Sequence, residues 1–375
     1  MAGLIAAVGD PGISMAAQTE RLIVGLRQTH LWDSNFDRVQ EGSSEQQRTT
    51  TLTLGARPRL GPHRMMLRGR LSRLRHQRRQ RLDATVVDYT TQWEGPLLLH
   101  GLTGRAQLRQ REQTVDRLAF TEGGVVTRRR QRAALSYGSD PAGWHAQLRG
   151  TWRQTRYDSS TFRDLNLDDQ ATSVALTYIS EQASRIGLRA TRGKRTFPDE
   201  SEPRASALDF DYRQLALEID WRMTDKTHLQ GQLRYFSRDG EINDGSGSDA
   251  ELRLHWQATA QTALSSRVSL RKPSTGEDPN DLSEVLRYRL AAAWHPGEKW
   301  QLRSAAAYER RHFRGGNALP EREDDITEWT PLDIAYAPIE AVIVSFATKI
   351  LKRNSPKSPY DLTAQSVTAS VEANF

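Results

Sequence analysis
A chain of 375 residues is long enough for two soluble domains, yet only 37% of it is hydrophobic and its mean hydropathy is −0.68, thin material for a large buried core. It has no run approaching the ~18 to 20 apolar residues of a membrane helix and no cysteine for a disulfide framework, while nine Trp, ten Tyr and nine Phe spread along its length argue against disorder. Its 53 Lys+Arg against 46 Asp+Glu leave a charge of +7, but the cations fall on alternate positions and not in one run, which disfavours nucleic-acid binding.

Residues 1–18 hold a weakly apolar stretch, Gly3 to Val8, and an Ala16-Ala17 pair without a basic n-region. They are expected to be the remnant of a secretory signal or a short periplasmic extension. From residue 19 to 375 the chain alternates with a period of two, the mark of strands whose side chains point to opposite faces. Trp144, Ala146, Leu148, Gly150 and Trp152 interleave with His145, Gln147, Arg149, Thr151 and Arg153. Leu229, Gly231, Leu233 and Tyr235 interleave with Gln230, Gln232 and Arg234, and the grammar repeats at Leu252, Leu254 and Trp256.

The connectors alternate between tight and long. Tight turns are read at Leu60-Gly61-Pro62-His63, Glu94-Gly95-Pro96, Asp140-Pro141-Ala142-Gly143, Glu181 to Ser184, Thr224-Asp225-Lys226, Thr259-Ala260-Gln261, His295-Pro296-Gly297-Glu298 and Ala337-Pro338-Ile339. Polar loops intervene, among them residues 33–45, 157–168, 197–208, 240–248, 273–282 and 315–325. Eight tight turns and nine loops predict an all-β, up-and-down antiparallel barrel of about eighteen strands, with sixteen as the alternative. An outer-membrane location follows, with both termini periplasmic and outer-membrane lipid and lipopolysaccharide around the wall.

Aromatic placement tests this topology. Trp93, Tyr137, Trp144, Tyr178, Trp221, Trp256, Trp294, Trp300 and Tyr336 fall within a few residues of tight turns on the apolar face, where they would form a girdle at the membrane boundary. At the C-terminus Val367, Ala369, Val371, Ala373 and Phe375 share one face. A final strand ending on an aromatic is the signal read by the barrel-assembly machinery, with Val371 and Phe375 as its expected elements.

No metal-ligand spacing, phosphate loop or nucleophile motif is present, so neither an enzyme nor a cofactor is expected. His145 and His255 read as polar wall residues. Arginine carries the functional signal: Arg27, Arg57, Arg68, Arg70, Arg105, Arg109, Arg132, Arg149, Arg153, Arg189, Arg234, Arg253, Arg267, Arg287 and Arg303 take the polar parity and are expected to line a lumen. The acids on that parity, Asp88, Glu218, Asp220, Glu309, Asp333 and Glu372, are fewer. Such a wall selects anions, unless the arginines merely pair with acids and stiffen the barrel.

The segment Leu31-Trp32-Asp33-Ser34-Asn35-Phe36-Asp37-Arg38, the Gly193-Lys194-Arg195-Thr196-Phe197-Pro198 ending of one hairpin, the strand from Leu229 to Gly240, and the close from Arg353-Asn354-Ser355 through Tyr360-Asp361 to Phe375 resemble the EpsL family of barrels associated with exopolysaccharide biosynthesis. The resemblance implies passage of an exopolysaccharide across the outer membrane, with periplasmic synthesis partners delivering the polymer. The residues themselves leave open export of an anionic polysaccharide, a diffusive porin for small anionic solutes, and a structural barrel of an envelope assembly.

Overall fold
The computed structural model describes residues 22–114, 124–138, 142–198, 205–273, 282–313, 321–356 and 360–375. Residues 1–18, Asp140 and Pro141, and parts of the segments 197–208, 273–282 and 315–325 lie outside the described residues.

The strands are β1 (Leu22–Asp33), β2 (Glu45–Ala56), β3 (Arg59–Leu60), β4 (His63–His76), β5 (Ala84–Pro96), β6 (Leu102–Thr114), β7 (Val125–Tyr137), β8 (Gly143–Tyr157), β9 (Leu167–Ile179), β10 (Arg185–Thr196), β11 (Phe210–Thr224), β12 (Thr227–Gly240), β13 (Gly245–Gln257), β14 (Thr262–Arg271), β15 (Leu282–Gly297), β16 (Trp300–Phe313), β17 (Arg322–Ile339), β18 (Val342–Asn354) and β19 (Leu362–Asn374). The two-residue β3 belongs to the first tight hairpin, set off from β2 by Arg57-Pro58, where proline offers no ladder donor. Eighteen strands therefore cross the wall. Each pairs antiparallel with its sequence neighbours, and β1 closes on β19 from Gly25↔Asn374 to Asp33↔Ser366. Closure leaves no unpaired edge.

The tight hairpins lie at one end of the barrel and the longer loops at the other, and three tight turns sit further along the chain than their residues suggest. Pro96 is the last residue of β5, and the turn is Leu97 to Gly101, with Leu97 N–H donating to Leu102 C=O at 2.8 Å and Gly101 at φ +74°. A strand-end proline needs no ladder bond, so it need not mark the turn. In the same way β15 reaches Gly297 and β17 reaches Ile339. The alternation of connector length also fails once: β12 and β13 are joined by residues 241–244 alone, because Gly245 (φ +128°), Ser246, Gly247 and Ser248 are already in strand.

One parity faces inward. A single cavity of about 560 Å³ at the loop end is lined by Leu31, Gln47 and Arg111 from one side and by Arg287, Glu309, Glu328 and Lys349 from the other, which only the concave face of a closed barrel can arrange. The opposite parity carries Leu26, Leu54, Leu148, Leu176, Leu188, Leu233, Leu290 and Val371, all large and exposed. An apolar outer face around a polar interior is the surface of a barrel built for lipid. The bulge at Pro331-Leu332 shifts the register of β17, which is why Glu328 and Asp333 share the inward face despite opposite sequence parity.

All nine expected girdle residues stand on the outward face at the tight-turn end. Tyr137, Trp144, Tyr178, Trp221, Trp256, Trp294 and Trp300 are exposed, Tyr336 stacks on Trp300 at 4.3 Å between ring centroids, and Trp93 stacks on His63. A second outward ring toward the loops, Trp32, Trp152, Tyr235, Tyr288 and Trp329, was not read from the sequence. Trp144 and Trp152 are eight residues apart on β8, about 26 Å of strand at ~3.3 Å per residue, or roughly 20 Å of height at the ~35–45° tilt of barrel strands, a little less than an apolar band ~25 Å tall.

Loops fold inward at the far end. Phe162 and Leu165 pack on Val126 and Tyr157, Phe197 packs with Phe210 and Tyr212, and Tyr360 lies over the Arg322 guanidinium at 3.8 Å. These apolar anchors narrow the mouth.

Closure depends on the last residues. Phe375 N–H donates to Val24 C=O at 2.7 Å, and Val24 N–H donates to Phe375 C=O at 3.2 Å. Val371 and Phe375 are both exposed on the outer face. Replacing both by Asp is expected to lower the heat-modifiable barrel in the outer membrane several-fold, because a lipid-facing charge costs up to a few kcal/mol depending on depth. Undiminished levels on semi-native gels would contradict this.

Candidate functional site
The lumen wall is asymmetric in charge. Cross-strand register sets Arg68 opposite Thr90, Thr90 opposite Arg109, Arg109 opposite Arg130, Arg130 opposite Arg153, Arg153 opposite Asp169, and Asp169 opposite Arg195. Five arginines and one acid thus lie on one line across β4 to β10. Strands in barrels tilt by about 35–45°, so a line perpendicular to them climbs the wall. Arg68 is the sixth residue of β4 from the tight-turn end, and Arg195 is the eleventh of twelve in β10, next to the loops. At ~4.8 Å per strand the row is about 29 Å long.

Further arginines flank it. Arg70, Arg111 and Arg128 lie on the loop side of the line, and Arg105, Arg132 and Arg149 on the other, with Arg189, Arg132, Glu218 and Arg105 all within electrostatic range of Arg149. The acids of this wall are few. Asp88 takes Arg109 (3.2 Å) and Arg111 (3.9 Å), Glu94 takes Arg105 (2.8 Å), and Asp169 takes Arg153 (2.8 Å) and Arg195 (3.0 Å). Among the described residues no carboxylate lies within salt-bridge distance of Arg68, Arg70, Arg130, Arg132 or Arg149; Arg149 donates only to the Gln147 amide oxygen. Like charges set directly opposite one another destabilise a sheet, so Arg109, Arg130 and Arg153 in one line form an arrangement that an anion relieves.

On the facing wall most cations have a carboxylate partner. Arg287 meets Glu309 (3.4 Å), Arg303 meets Asp333 (3.0 Å), Lys349 meets Glu328 (2.9 Å), and Arg27 pairs with Glu372. Arg322 and Arg353 share the fully buried Asp324, at 3.2 and 3.0 Å through their Nε atoms. Intermediate stretches are likewise paired: Arg189 with Glu218 (2.9 Å), Arg234 with Asp249 (2.7 Å), Arg253 and Arg267 with Glu251 (2.5 and 2.6 Å), and His228 with Asp220 (2.6 Å). Arg57 falls in the break between β2 and β3, outside the strands.

The upper end of the row opens into a side cavity of about 380 Å³ lined by Arg153, Arg195, Arg234, Arg238, Arg271 and Lys272 against Asp249 and Glu251. Its cations are held firmly. Arg238 lies 4.2 Å from the Phe236 ring centroid, Arg195 lies 5.3 Å from that of Phe210, and the Tyr212 hydroxyl donates to Asp169 at 3.2 Å. The volume is that of a small-ligand site. Arg128, Arg130, Arg195, Arg238, Arg271 and Lys272 were not among the residues read from the sequence. Arg128 and Arg130 share the parity of Arg132, but the run Arg128-Arg129-Arg130 has no apolar contrast to display it. His145 and His255 take the inward parity, and among the described residues no cluster of His, Asp and Glu could hold a metal ion.

No family model matches the chain, and no curated protein matches it. Its fold is similar to solved structures of Pseudomonas aeruginosa proteins. OpdQ matches with a TM-score of 0.53 and 10% identity over 94% of this chain and 97% of that one. The outer membrane protein OpdK matches at 0.52 and 9% over 96% and 100%, and OccK9 (OpdG) at 0.52 and 11% over 94% and 98%. The likeness is one of fold. The resemblance to EpsL barrels finds no matching family model beside it.

Proposed function
We propose that this chain is an outer-membrane channel through which small anionic solutes diffuse, drawn along the oblique arginine row. The row carries the reading: five arginines, broken only by Thr90 and Asp169, run obliquely from the middle of β4 to the loop end of β10, on a wall with far fewer acids than the one it faces. Fixed cations in a low-dielectric wall concentrate anions, and several sites of similar strength let a solute pass from one to the next without being trapped. Arg forks grip carboxylates bidentately. A structure of OpdK with vanillate, itself a small aromatic carboxylate, shares the fold at a TM-score of 0.51 and 10% identity over 95% of this chain and 99% of that one.

In this reading the tight turns face the periplasm and the loops the cell exterior. The inward-folded loops and the cavities of about 560 and 380 Å³ suit a small solute better than a polymer chain. A porin therefore takes precedence over an exopolysaccharide exporter. In planar bilayers with a KCl gradient, the purified barrel is expected to show a reversal potential of anionic sign, and added benzoate-class carboxylates should reduce the chloride current. Cation selectivity, or blockade by a neutral glucan at concentrations where carboxylates have no effect, would overturn the proposal.

A further inference from the structure
The outer surface carries charge that the channel does not use. On the outward face, register lines up Ala106, Ala133, Gly150 and Thr172, followed by Arg192 and Arg213. Four small side chains in succession leave a trough about 14 Å long at ~4.8 Å per strand. It is open above Gly150, where a Cβ would meet nothing within 4 Å. Leu108 and Trp152 stand in the neighbouring outward row on one side of it, and Leu135 and Leu148 on the other. Like the lumen row, this line climbs toward the loops, so the arginines sit at its upper end.

Arg192 and Arg213 face each other directly across β10 and β11, both exposed, and neither has a carboxylate partner among the described residues. Among the other outward cations, Arg156 pairs with Asp168 at 2.7 Å and Arg310 with Asp325 at 3.3 Å, whereas Arg48 and Arg75 are a second exposed pair in direct register, flanked by His30 and not by a line of small side chains. Exposed Lys194 lies in the next row, opposite Asp211 in register but without a salt bridge to it. Two unpaired guanidinium groups in direct register destabilise a sheet unless an anion joins them. An apolar trough leading down from that pair into the lipid band calls for an anion with an acyl chain attached.

We propose that this surface binds lipid A, the phosphorylated acyl glycolipid of the outer leaflet, with a phosphate on Arg192 and Arg213 and an acyl chain along Ala106 to Thr172. A phosphomonoester carries about −1.5 to −2 at neutral pH, which matches two guanidinium groups. The single charge of a glycerophospholipid diester matches them less well. The inference rests on the orientation proposed above, in which the loop end lies at the outer leaflet.

The test is native mass spectrometry of the full-length barrel in detergent, titrated separately with lipid A, dephosphorylated lipid A, phosphatidylglycerol and inorganic phosphate. Lipid A is expected to bind one to one, about tenfold or more above the dephosphorylated form and phosphatidylglycerol. R192Q/R213Q should lose that preference. Gly150→Leu, which fills the trough at a position with free space, should weaken lipid A several-fold while leaving the preference for phosphate intact. Equal binding of phosphatidylglycerol, full lipid A affinity in R192Q/R213Q, or competition by inorganic phosphate at the same concentration as lipid A would overturn the proposal. Heat-modifiable mobility and anion selectivity, measured on the same preparations, are expected to be unchanged in both variants. They separate a failure of this site from a failure of the channel reading. Epitope accessibility of residues 157–168 on intact cells reports the orientation independently.

Discussion
Replacing Arg68, Arg130 and Arg149 together by Glu is expected to turn the channel from anion-selective to cation-selective. None of the three has a carboxylate partner among the described residues, so among these residues reversal strands no buried acid and breaks no ion pair. A glutamate at residue 130 would instead stand between Arg109 and Arg153 and relieve their repulsion. The barrel should therefore fold, and the change in reversal potential reports the field of the lumen. A lumen potential of about 2 kT enriches one ion and depletes its opposite by roughly tenfold each, a ratio on the order of a hundred between them. The Debye length falls from ~10 Å at 0.1 M to ~3 Å at 1 M salt, so the shift should be large in dilute KCl and small in concentrated KCl. The triple Gln variant should fall between the two. An unchanged reversal potential in the Glu variant at 0.1 M would show that permeating ions do not follow this wall.

The fold was legible because a barrel repeats one local rule. Period-two alternation marked most of the inward set, with Arg57 outside the strands, and aromatics near Trp144, Trp256 and Trp294 marked one end of successive hairpins. The oblique row was not legible. Sequence places Arg68 and Arg130 on the same face, but only register puts them on one line, and register is set by turns such as that after Pro96, which proline moved away from its expected place. The pairing on the facing wall was hidden for a related reason: Glu328 reaches the lumen only because the bulge at Pro331-Leu332 changes parity within one strand. The trough eluded the sequence as well, since Ala106, Ala133, Gly150 and Thr172 belong to four strands and are unremarkable in each. Loop packing such as Phe162 on Val126 is tertiary and leaves no periodic trace.

The largest loss of stability is expected from Asp169→Ala. Asp169 is 1% exposed and takes Arg153 and Arg195 on its two oxygens, with the Tyr212 hydroxyl completing its shell. It is the one acid on the oblique row, and it lets two guanidinium groups meet at the narrowed mouth. Removing one partner of a buried ion pair typically costs about 3–5 kcal/mol, because the remaining charge is left without its counterion. The cost should appear as a lower heat-modification temperature on semi-native gels and as a lower denaturant midpoint for barrels refolded into lipid vesicles. Asp169→Ala combined with Arg195→Leu removes a charge of each sign and leaves a leucine against the Phe210 ring that Arg195 covers, so it should recover part of the loss. Asn at residue 169 keeps a carbonyl oxygen as acceptor and should cost less than Ala. If the double variant is no more stable than Asp169→Ala alone, charge pairing at this point is not what holds the mouth together, and the packing of Phe197, Phe210 and Tyr212 must carry it.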